Sequence, residues 1–305
     1  MRKNIYWQIR DGEVALGAAP LVAAVIPITP EIAPDGEKYL DPDRSYARAL
    51  HMEEAGAAFI EFAPETLIGG QVATGEEEQL HRLIPVFKRL RDQLSIPVVV
   101  RTTRALVAER ALDHGIAAIH DPSSLTGDIA MAKVIGDTKI GLILGHMRGA
   151  PETWPKQGSM QNPILAVAQD LRAAVHRATR VNIDRKRLLL NPGLSLGKRR
   201  EDNAAILANM EQLTKLEAPL AVYTDAGCHL INQPVANATA ANLPADSRAD
   251  MDTCLVASVL AGAYVIGAFD VARAIALVRS ADAIHAAQRE IEPEPPPPPQ
   301  PRRRY

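Results

Sequence analysis

Six short apolar runs in the sequence each lead to a polar side chain that could take part in chemistry. These side chains are Glu61, Arg101, His120, His146, Asn191 and Asp225. If the runs are parallel β-strands of a barrel, their carboxyl ends meet on one face, and the six side chains converge on one cavity. Four further polar residues lie close to the same strand ends, namely Asp121, Arg148, Lys198 and Asp270. Carboxylates, imidazoles and a guanidinium in one cavity indicate acid–base, anion-binding or metal chemistry.

Three interpretations of these residues stay open from the sequence. In the first, carboxylates and imidazoles hold a divalent metal, with ligands Glu61, His120, His146 and Asp225. In the second, Arg101 clamps an anionic group of a substrate and His120 is the general base. In the third, Arg101 forms an internal ion pair with Glu61 or Asp225 and fills the cavity. We take His120, Arg101 and Asp225 as catalytic candidates and predict no metal site. The predicted ligand-binding residues are Glu61, Arg101, His120, Asp121, His146, Arg148, Asn191, Lys198 and Asp225.

Apolar β-branched runs alternate with segments of helical periodicity along the chain, and these elements must position the polar residues. The predicted strands are 22–28, 58–62, 98–102, 117–120, 140–144, 188–190, 220–224 and 263–268. The predicted helices are 43–55, 76–94, 106–114, 128–135, 164–179, 202–216, 247–260 and 271–287. The strands are almost purely apolar, which is typical of strands buried on both faces. The alternation predicts an α/β fold, a (β/α)8 TIM barrel, and the sequence lacks the G-x-G-x-x-G of a dinucleotide-binding sheet.

Composition excludes several classes of partner. The 305 residues are 47% hydrophobic and carry a net charge of -2, which allows a sizeable core but no field that would gather nucleic acid or an anionic membrane. The apolar stretch 15–28 is interrupted by Pro20 and Pro27 and is shorter than the roughly 20 residues of a membrane span. The two cysteines, Cys228 and Cys254, have no C-x-x-C spacing, which is typical of cysteines kept reduced. We therefore expect a cytoplasmic protein.

The last residues differ in character from the rest of the chain. Residues 292–305 read EPEPPPPPQPRRRY and contain no aliphatic residue that could join a core. Such a composition predicts a disordered polyproline tail, either a solubilising segment or a docking peptide for aromatic-lined grooves. We therefore predict one barrel domain over residues 1–290 and a tail over residues 291–305.

Three segments next to predicted strands carry a resemblance. Residues 144–151 read LGHMRGAP, residues 190–198 read LNPGLSLGK, and residues 28–36 read ITPEIAPDG. These are similar to HMRGTP, DPGIGFGK and VTPDSFSDG of the dihydropteroate synthase family of pterin-binding enzymes, and the resemblance covers about residues 7–287. It implies the TIM barrel and a transferase of folate synthesis that joins a hydroxymethyl-pterin diphosphate to p-aminobenzoate with loss of pyrophosphate. Magnesium is implied only if the diphosphate chemistry is retained, and no other cofactor is expected.

The chain departs from the family at the positions that would bind the substrate. Pro27 stands where the resemblance implies a magnesium-binding Asn, Arg101 where it implies an acid that holds the pterin, and Asn191 where it implies an aspartate. The seventh-strand lysine is replaced by Gly227, while Asp121 is kept. Two arginines and a histidine that would bind diphosphate are replaced by Ile68, Gly267 and Phe269. Each lost charge-assisted bond is worth about 1.5–3 kcal/mol, so diphosphate should bind poorly.

The resemblance and the departures together set the functional expectation. We expect a dihydropteroate-synthase-like protein of folate-pathway ancestry that has lost ordinary synthase activity. It would bind a different small ligand, pterin-like or anionic, or act as a pseudoenzyme that dimerises with itself or with a genuine synthase. The alternative is an active synthase with a remodelled pocket, in which Asp121, Asn191 and Arg101 contact the pterin ring. Whether the protein is an enzyme stays open from the sequence.

Overall fold

The computed structural model describes residues 2–91, 93–224, 230–231 and 247–287. Within these ranges the strands are β1 (Ile5–Ile9), β2 (Gly12–Leu16), β3 (Leu21–Pro27), β4 (Phe59–Ala63), β5 (Val98–Arg101), β6 (Ala118–Asp121), β7 (Gly141–Gly145), β8 (Leu188–Asn191), β9 (Ala221–Tyr223) and β10 (Val265–Ala268). The α-helices are α1 (Pro42–Glu54), α2 (Glu76–Leu90), α3 (Ala105–Leu112), α4 (Met131–Gly136), α5 (Pro163–Arg180), α6 (Arg200–Ala208), α7 (Ser247–Leu260) and α8 (Val271–Ala287).

The strands β3 to β10 form a parallel barrel. Their order is β8-β7-β6-β5-β4-β3-β10-β9, and every neighbouring pair is parallel. A parallel bridge between Leu190 and Leu220 joins the two ends of the sheet. The helices between the strands cover the outside of the barrel, as parallel strands require for their crossovers. The predicted (β/α)8 TIM barrel is therefore confirmed.

Alternate residues of each strand pack on opposite faces of the barrel wall. One buried cluster lies inside the barrel and includes Val25, Phe59, Val99, Ala118, Ile143, Leu189, Ala221 and Val265. The second buried cluster lies between the wall and the helices and includes Ile26, Ile60, Val100, Ile119, Leu142, Leu190, Val222 and Ile266. Because both faces are buried, the strands read as continuous apolar runs in the sequence.

An antiparallel hairpin, β1 and β2, closes the end of the barrel at which the strands begin. Trp7 of β1 packs on Phe59 with ring centroids 5.7 Å apart, and its Nε1–H donates to the Arg187 carbonyl at 2.8 Å. A Cβ at Gly141 would lie 2.7 Å from the Trp7 ring, so a residue without a side chain is required there. The hairpin thus covers this end, and the opposite end, the mouth of the barrel, is where TIM-barrel enzymes place their active sites.

Local signals explain where the helices begin and where the predictions were wrong. Asp41 caps α1 by accepting from the Asp43 and Arg44 backbone N–H groups, and Pro42 occupies the first turn, where a proline lacks only an unneeded donor. The predicted helix 202–216 is in fact α6 followed by a 3-10 helix over Met210–Lys215. The apolar stretch 15–28 covers the end of β2 and all of β3.

Two further expectations meet the structure here. In the described ranges, no helix combines the length and the apolar character that a membrane crossing needs. Cys254 is buried in α7, and cytoplasmic localisation stays a prediction. The proline-rich tail, Asp225 and Cys228 lie outside the described residues.

Candidate functional site

Four of the predicted residues meet inside the mouth of the barrel. Glu61, Arg101, His120 and Asn191 each lie two positions after a residue of the interior cluster, namely Phe59, Val99, Ala118 and Leu189. Because side chains alternate along a strand, each of the four also points into the barrel. The strand register brings Arg101 beside His120 on neighbouring strands. Convergence of these four residues therefore follows from strand parity and register.

An ion pair lies at the centre of this group. The Nε–H of Arg101 donates to Glu61 Oε1 at 2.6 Å. The Glu61 side chain is 0% exposed, and the Arg101 side chain is 14% exposed. Burial alone would raise the pKa of Glu61, but Arg101 and His120 stabilise the carboxylate more strongly and lower that pKa to about 2. This is the internal ion pair that the sequence left open as the third interpretation.

A chain of hydrogen bonds fixes the protonation of His120. The Gly193 backbone N–H can only donate, so Asn191 Oδ1, at 2.9 Å, accepts from it. Asn191 Nδ2 then faces His120 Nε2 at 3.1 Å and donates to it. Since His120 Nε2 accepts, Nδ1 carries the ring proton and donates to Glu61 at 3.0 Å. Both ring nitrogens are engaged, which leaves the general-base interpretation of His120 without a nitrogen to receive a proton.

Tyr223 completes the group, and the sequence analysis missed it. Its ring lies with its centroid 4.5 Å from the His120 centroid, and the Arg101 guanidinium carbon lies 5.2 Å from the Tyr223 centroid. Tyr223 is also among the groups that lower the pKa of Glu61. The available signal was strand parity, because Tyr223 lies two residues after the interior Ala221.

A cavity of about 100 Å³ remains above these residues. Its polar lining includes Glu65, Thr66, Arg101, His120, Asn191, Ser195 and Tyr223. Glu65, which the sequence analysis did not assign to the site, is buried, and its Oε1 accepts from the Thr74 backbone N–H at 2.6 Å. Burial raises the pKa of Glu65 and favours its neutral acid. The cavity is therefore lined by an arginine and by a carboxyl group whose pKa is raised by burial.

Asp121 does not line this cavity. It follows His120 on β6 and therefore points to the other side of the wall. Its Oδ1 accepts from the Ser123 N–H at 2.8 Å and from the Ser123 hydroxyl, and its Oδ2 accepts from the Leu125 N–H at 2.6 Å. Leu125 has a φ of 65°, a strained backbone that these bonds hold in place. In this structure Asp121 shapes the loop after β6.

His146 and Lys198 lie together, away from the cavity lining. Lys198 is buried, and its Nζ donates to the backbone carbonyls of His146 at 2.8 Å and Gly193 at 2.6 Å. Burial lowers the pKa of Lys198 to about 7. The ring of His146 donates from Nε2 to the exposed Asp170 at 3.0 Å, and burial lowers the pKa of His146 to about 2. Lys198 thus links the loops that follow β7 and β8.

The remaining predicted residues are held by loop contacts or lie outside the described ranges. Arg148 donates from Nη1 to the Gly158 carbonyl at 2.5 Å and does not line the cavity. Asp270 accepts from the Arg273 N–H at 3.1 Å at the start of α8. Nothing in the structure describes Asp225, so its predicted place at the mouth stays a prediction.

The described residues do not fit a divalent metal. No group of three or more potential ligands among the described His, Cys, Asp and Glu residues is arranged to hold one. Glu61 is bonded to Arg101 and His120, and His146 is bonded to Asp170. Pro27, at the end of β3, offers no side-chain ligand for magnesium. The interpretation of Glu61, His120 and His146 as joint metal ligands is therefore not supported.

Comparisons with known proteins agree with this architecture. A family model described as pterin binding enzyme matches residues 23–265. Dihydropteroate synthase of Mycobacterium leprae is 30% identical over 84% of this chain and 90% of its own length. Dihydropteroate synthase of Bacillus subtilis is 29% identical over 67% of this chain and 69% of its own length. The crystal structure of Yersinia pestis dihydropteroate synthase with a sulfonamide drug superimposes with a TM-score of 0.79 at 25% identity, covering 93% of this chain and 100% of that one.

Proposed function

The chain belongs to the pterin-binding enzyme family, and from that premise we propose that its barrel mouth binds a small carboxylate instead of a hydroxymethyl-pterin diphosphate. On this proposal, ordinary dihydropteroate synthase activity is lost. The observation that carries the proposal is the internal bonding of the mouth, where Glu61 pairs with Arg101 and His120 instead of facing the cavity as a free acceptor.

The hydrogen-bonding groups of the mouth favour a ligand that accepts. An amino-pyrimidinone edge needs acceptors from the protein, and the acceptors of Glu61, His120 and Asn191 are bonded to neighbouring groups. A guanidinium such as that of Arg101 is a donor only and cannot deprotonate to adapt. Glu65 also lines the cavity, and burial raises the pKa of this carboxyl group. A carboxylate or a carbonyl edge matches this lining.

The size of the cavity supports a small ligand. Its volume of about 100 Å³ lies well below the roughly 300–1,000 Å³ of sites for drug-sized ligands. Arg101 is the only arginine or lysine in the described lining, and Pro27 and Phe269 stand at two of the other lining positions. A diphosphate bound there would lose charge-assisted bonds worth about 1.5–3 kcal/mol each.

Two other functions stay in view. Active dihydropteroate synthesis is favoured by the 30% identity to a synthase over 84% of the chain. Asn191 and Ser195 also line the cavity and are polar groups that a pterin could contact. A pseudoenzyme role, as a homodimer or as the partner of a genuine synthase, is favoured by the sequences of α7 and α8, which are mostly apolar over residues 251–260 and rich in alanine over Val271–Ala287. Light scattering tests the pseudoenzyme role, because it measures the molar mass of the purified protein alone and mixed with a synthase.

Calorimetry with simple probes tests the carboxylate proposal. We expect benzoate to bind saturably and the uncharged, similarly shaped benzamide to bind at least tenfold more weakly. Arg101→Gln should reduce benzoate affinity at least tenfold, while the matched control Arg110→Gln, on the exposed face of α3, should leave it unchanged. The proposal would be overturned if the protein bound benzoate and benzamide with equal affinity. It would also be overturned if Arg101→Gln bound benzoate as tightly as wild type.

A further inference from the structure

A tyrosine and a glycine on neighbouring strands occupy the same space in the mouth. Tyr223 and Gly267 are direct partners in the register of β9 and β10. A Cβ built on Gly267 would lie 2.1 Å from Tyr223 Cδ1 and 2.5 Å from Cε1. These atoms belong to a rigid aromatic ring, so the clash could be relieved only by moving the whole ring. The Tyr223 ring can therefore occupy its observed position only because residue 267 is a glycine.

The ring of Tyr223 reaches across the barrel. In the closed strand order, β9 lies three strands from β6 and four strands from β5. Even so, the Tyr223 ring stacks at 4.5 Å on His120 of β6 and lies under Arg101 of β5 at 5.2 Å. Its residue is only 6% exposed. The ring thus forms the floor of the cavity and contacts two residues of the opposite wall.

We propose that Tyr223 is a specificity-determining residue, whose ring limits the depth of the mouth to a single-ring or smaller carboxylate, and that Gly267 permits this. The proposal rests on the proposed function, because it defines the ligand size for the same cavity. Removal of the ring would open the space between β9 and the Arg101–Glu61 pair. A bicyclic carboxylate could then enter with its charged group towards Arg101.

The proposed role depends on the volume of the Tyr223 ring and not on its hydroxyl group, and variants can distinguish the two. The hydroxyl helps to lower the pKa of Glu61, whereas the ring forms the floor of the cavity. Tyr223→Phe keeps the ring and removes the hydroxyl. Tyr223→Ala removes both. Gly267→Ala adds the Cβ that collides with the ring and displaces it without changing Tyr223 itself.

The test measures affinity for benzoate and for the bicyclic pterin-6-carboxylate by calorimetry in these variants, with folding checked by circular dichroism. We expect wild type and Tyr223→Phe to prefer benzoate at least tenfold. Tyr223→Ala should gain at least tenfold in affinity for pterin-6-carboxylate, and Gly267→Ala should change in the same direction. Gly267→Ala serves as the second route if Tyr223→Ala does not fold.

The outcomes distinguish this inference from the proposed function. Wild type that binds both carboxylates equally, or a folded Tyr223→Ala that does not gain affinity for pterin-6-carboxylate, would overturn the role of Tyr223 and leave carboxylate binding intact. Wild type that binds neither carboxylate, with pterin-6-carboxylate binding appearing in Tyr223→Ala, would overturn the proposed function and support the ring as the excluding group.

Discussion

Arg101 donates its Nε–H to Glu61 at 2.6 Å inside a barrel mouth in which the Glu61 side chain has no exposure to solvent. The two residues come from neighbouring strands, β4 and β5, and both point inward by strand parity. A buried ion pair of this kind is satisfied without a ligand, but it does not tolerate the loss of one partner. It therefore couples the stability of the fold to the chemistry of the site.

The first prediction concerns loss of the acid. Glu61→Gln should lower the free energy of unfolding by about 3–5 kcal/mol, because it leaves the buried Arg101 charge uncompensated. The matched control is Asp43→Asn, which breaks the exposed pair with Arg89 and should lower the free energy of unfolding far less. Urea denaturation measures both. Equal effects of the two substitutions would contradict the central place of the Glu61 pair.

The second prediction is a pH dependence carried by Glu61. Its pKa is lowered from 4.5 to about 2, so its stabilising contribution is present above pH 4.5 and is lost as the pH falls towards 2. The stability difference between wild type and Glu61→Gln should therefore shrink over that interval and stay constant above it. Urea denaturation at a series of pH values measures the difference. A constant difference down to pH 2 would rule out the ionised, paired Glu61.

The third prediction concerns His146. Burial lowers its pKa from 6.5 to about 2, so the folded protein keeps the ring neutral while the unfolded chain takes up a proton below pH 6.5. Stability due to the neutral ring is therefore present above pH 6.5 and is lost progressively as the pH falls. His146→Asn should flatten this slope, and the exposed His176→Asn should not. Parallel pH profiles for wild type and His146→Asn would disprove the buried neutral histidine.

The fourth prediction is the protonation of His120. The hydrogen bonds from Gly193 through Asn191 require a proton on Nδ1 and none on Nε2. Two-bond proton–nitrogen NMR correlations should show this tautomer in wild type at pH 7. Asn191→Asp replaces the donating amide opposite Nε2 by an acceptor and should abolish the preference of the proton for Nδ1. A proton on Nε2 in the wild-type protein would show that Asn191 does not set the tautomer.

Strand parity explains which part of the site was predictable from the sequence. The polar ends of the apolar runs predicted the meeting of Glu61, Arg101, His120 and Asn191, because parallel strands in a barrel bring their carboxyl ends together. Asp121 was assigned to the ligand without regard to parity. It is the immediate neighbour of the inward His120, and adjacent strand residues point to opposite faces. Its bonds to Ser123 and Leu125 place it in a loop instead.

Other features could not be read from one sequence. Lys198 follows a strand end, but the loop turns its Nζ towards backbone carbonyls, and loop geometry is not fixed by residue type. The place of Tyr223 depends on the missing side chain of Gly267 on the next strand. That relation requires the register of two strands, which periodicity does not supply. The sequence analysis interpreted Gly267 only as the replacement of an arginine that would bind diphosphate. It did not predict that the ring of Tyr223 occupies the space beside Gly267.

We propose that a mouth in which Glu61 pairs with Arg101 and the Tyr223 ring forms the floor does not support dihydropteroate synthesis. The most direct measurement is pyrophosphate release from hydroxymethyl-dihydropterin diphosphate on addition of p-aminobenzoate and magnesium, with a dihydropteroate synthase as positive control. We predict release no faster than in protein-free buffer while the control turns over. Sustained release that saturates with both substrates and is abolished by Asn191→Ala would show that the protein is an active synthase and that the proposed loss of activity is wrong.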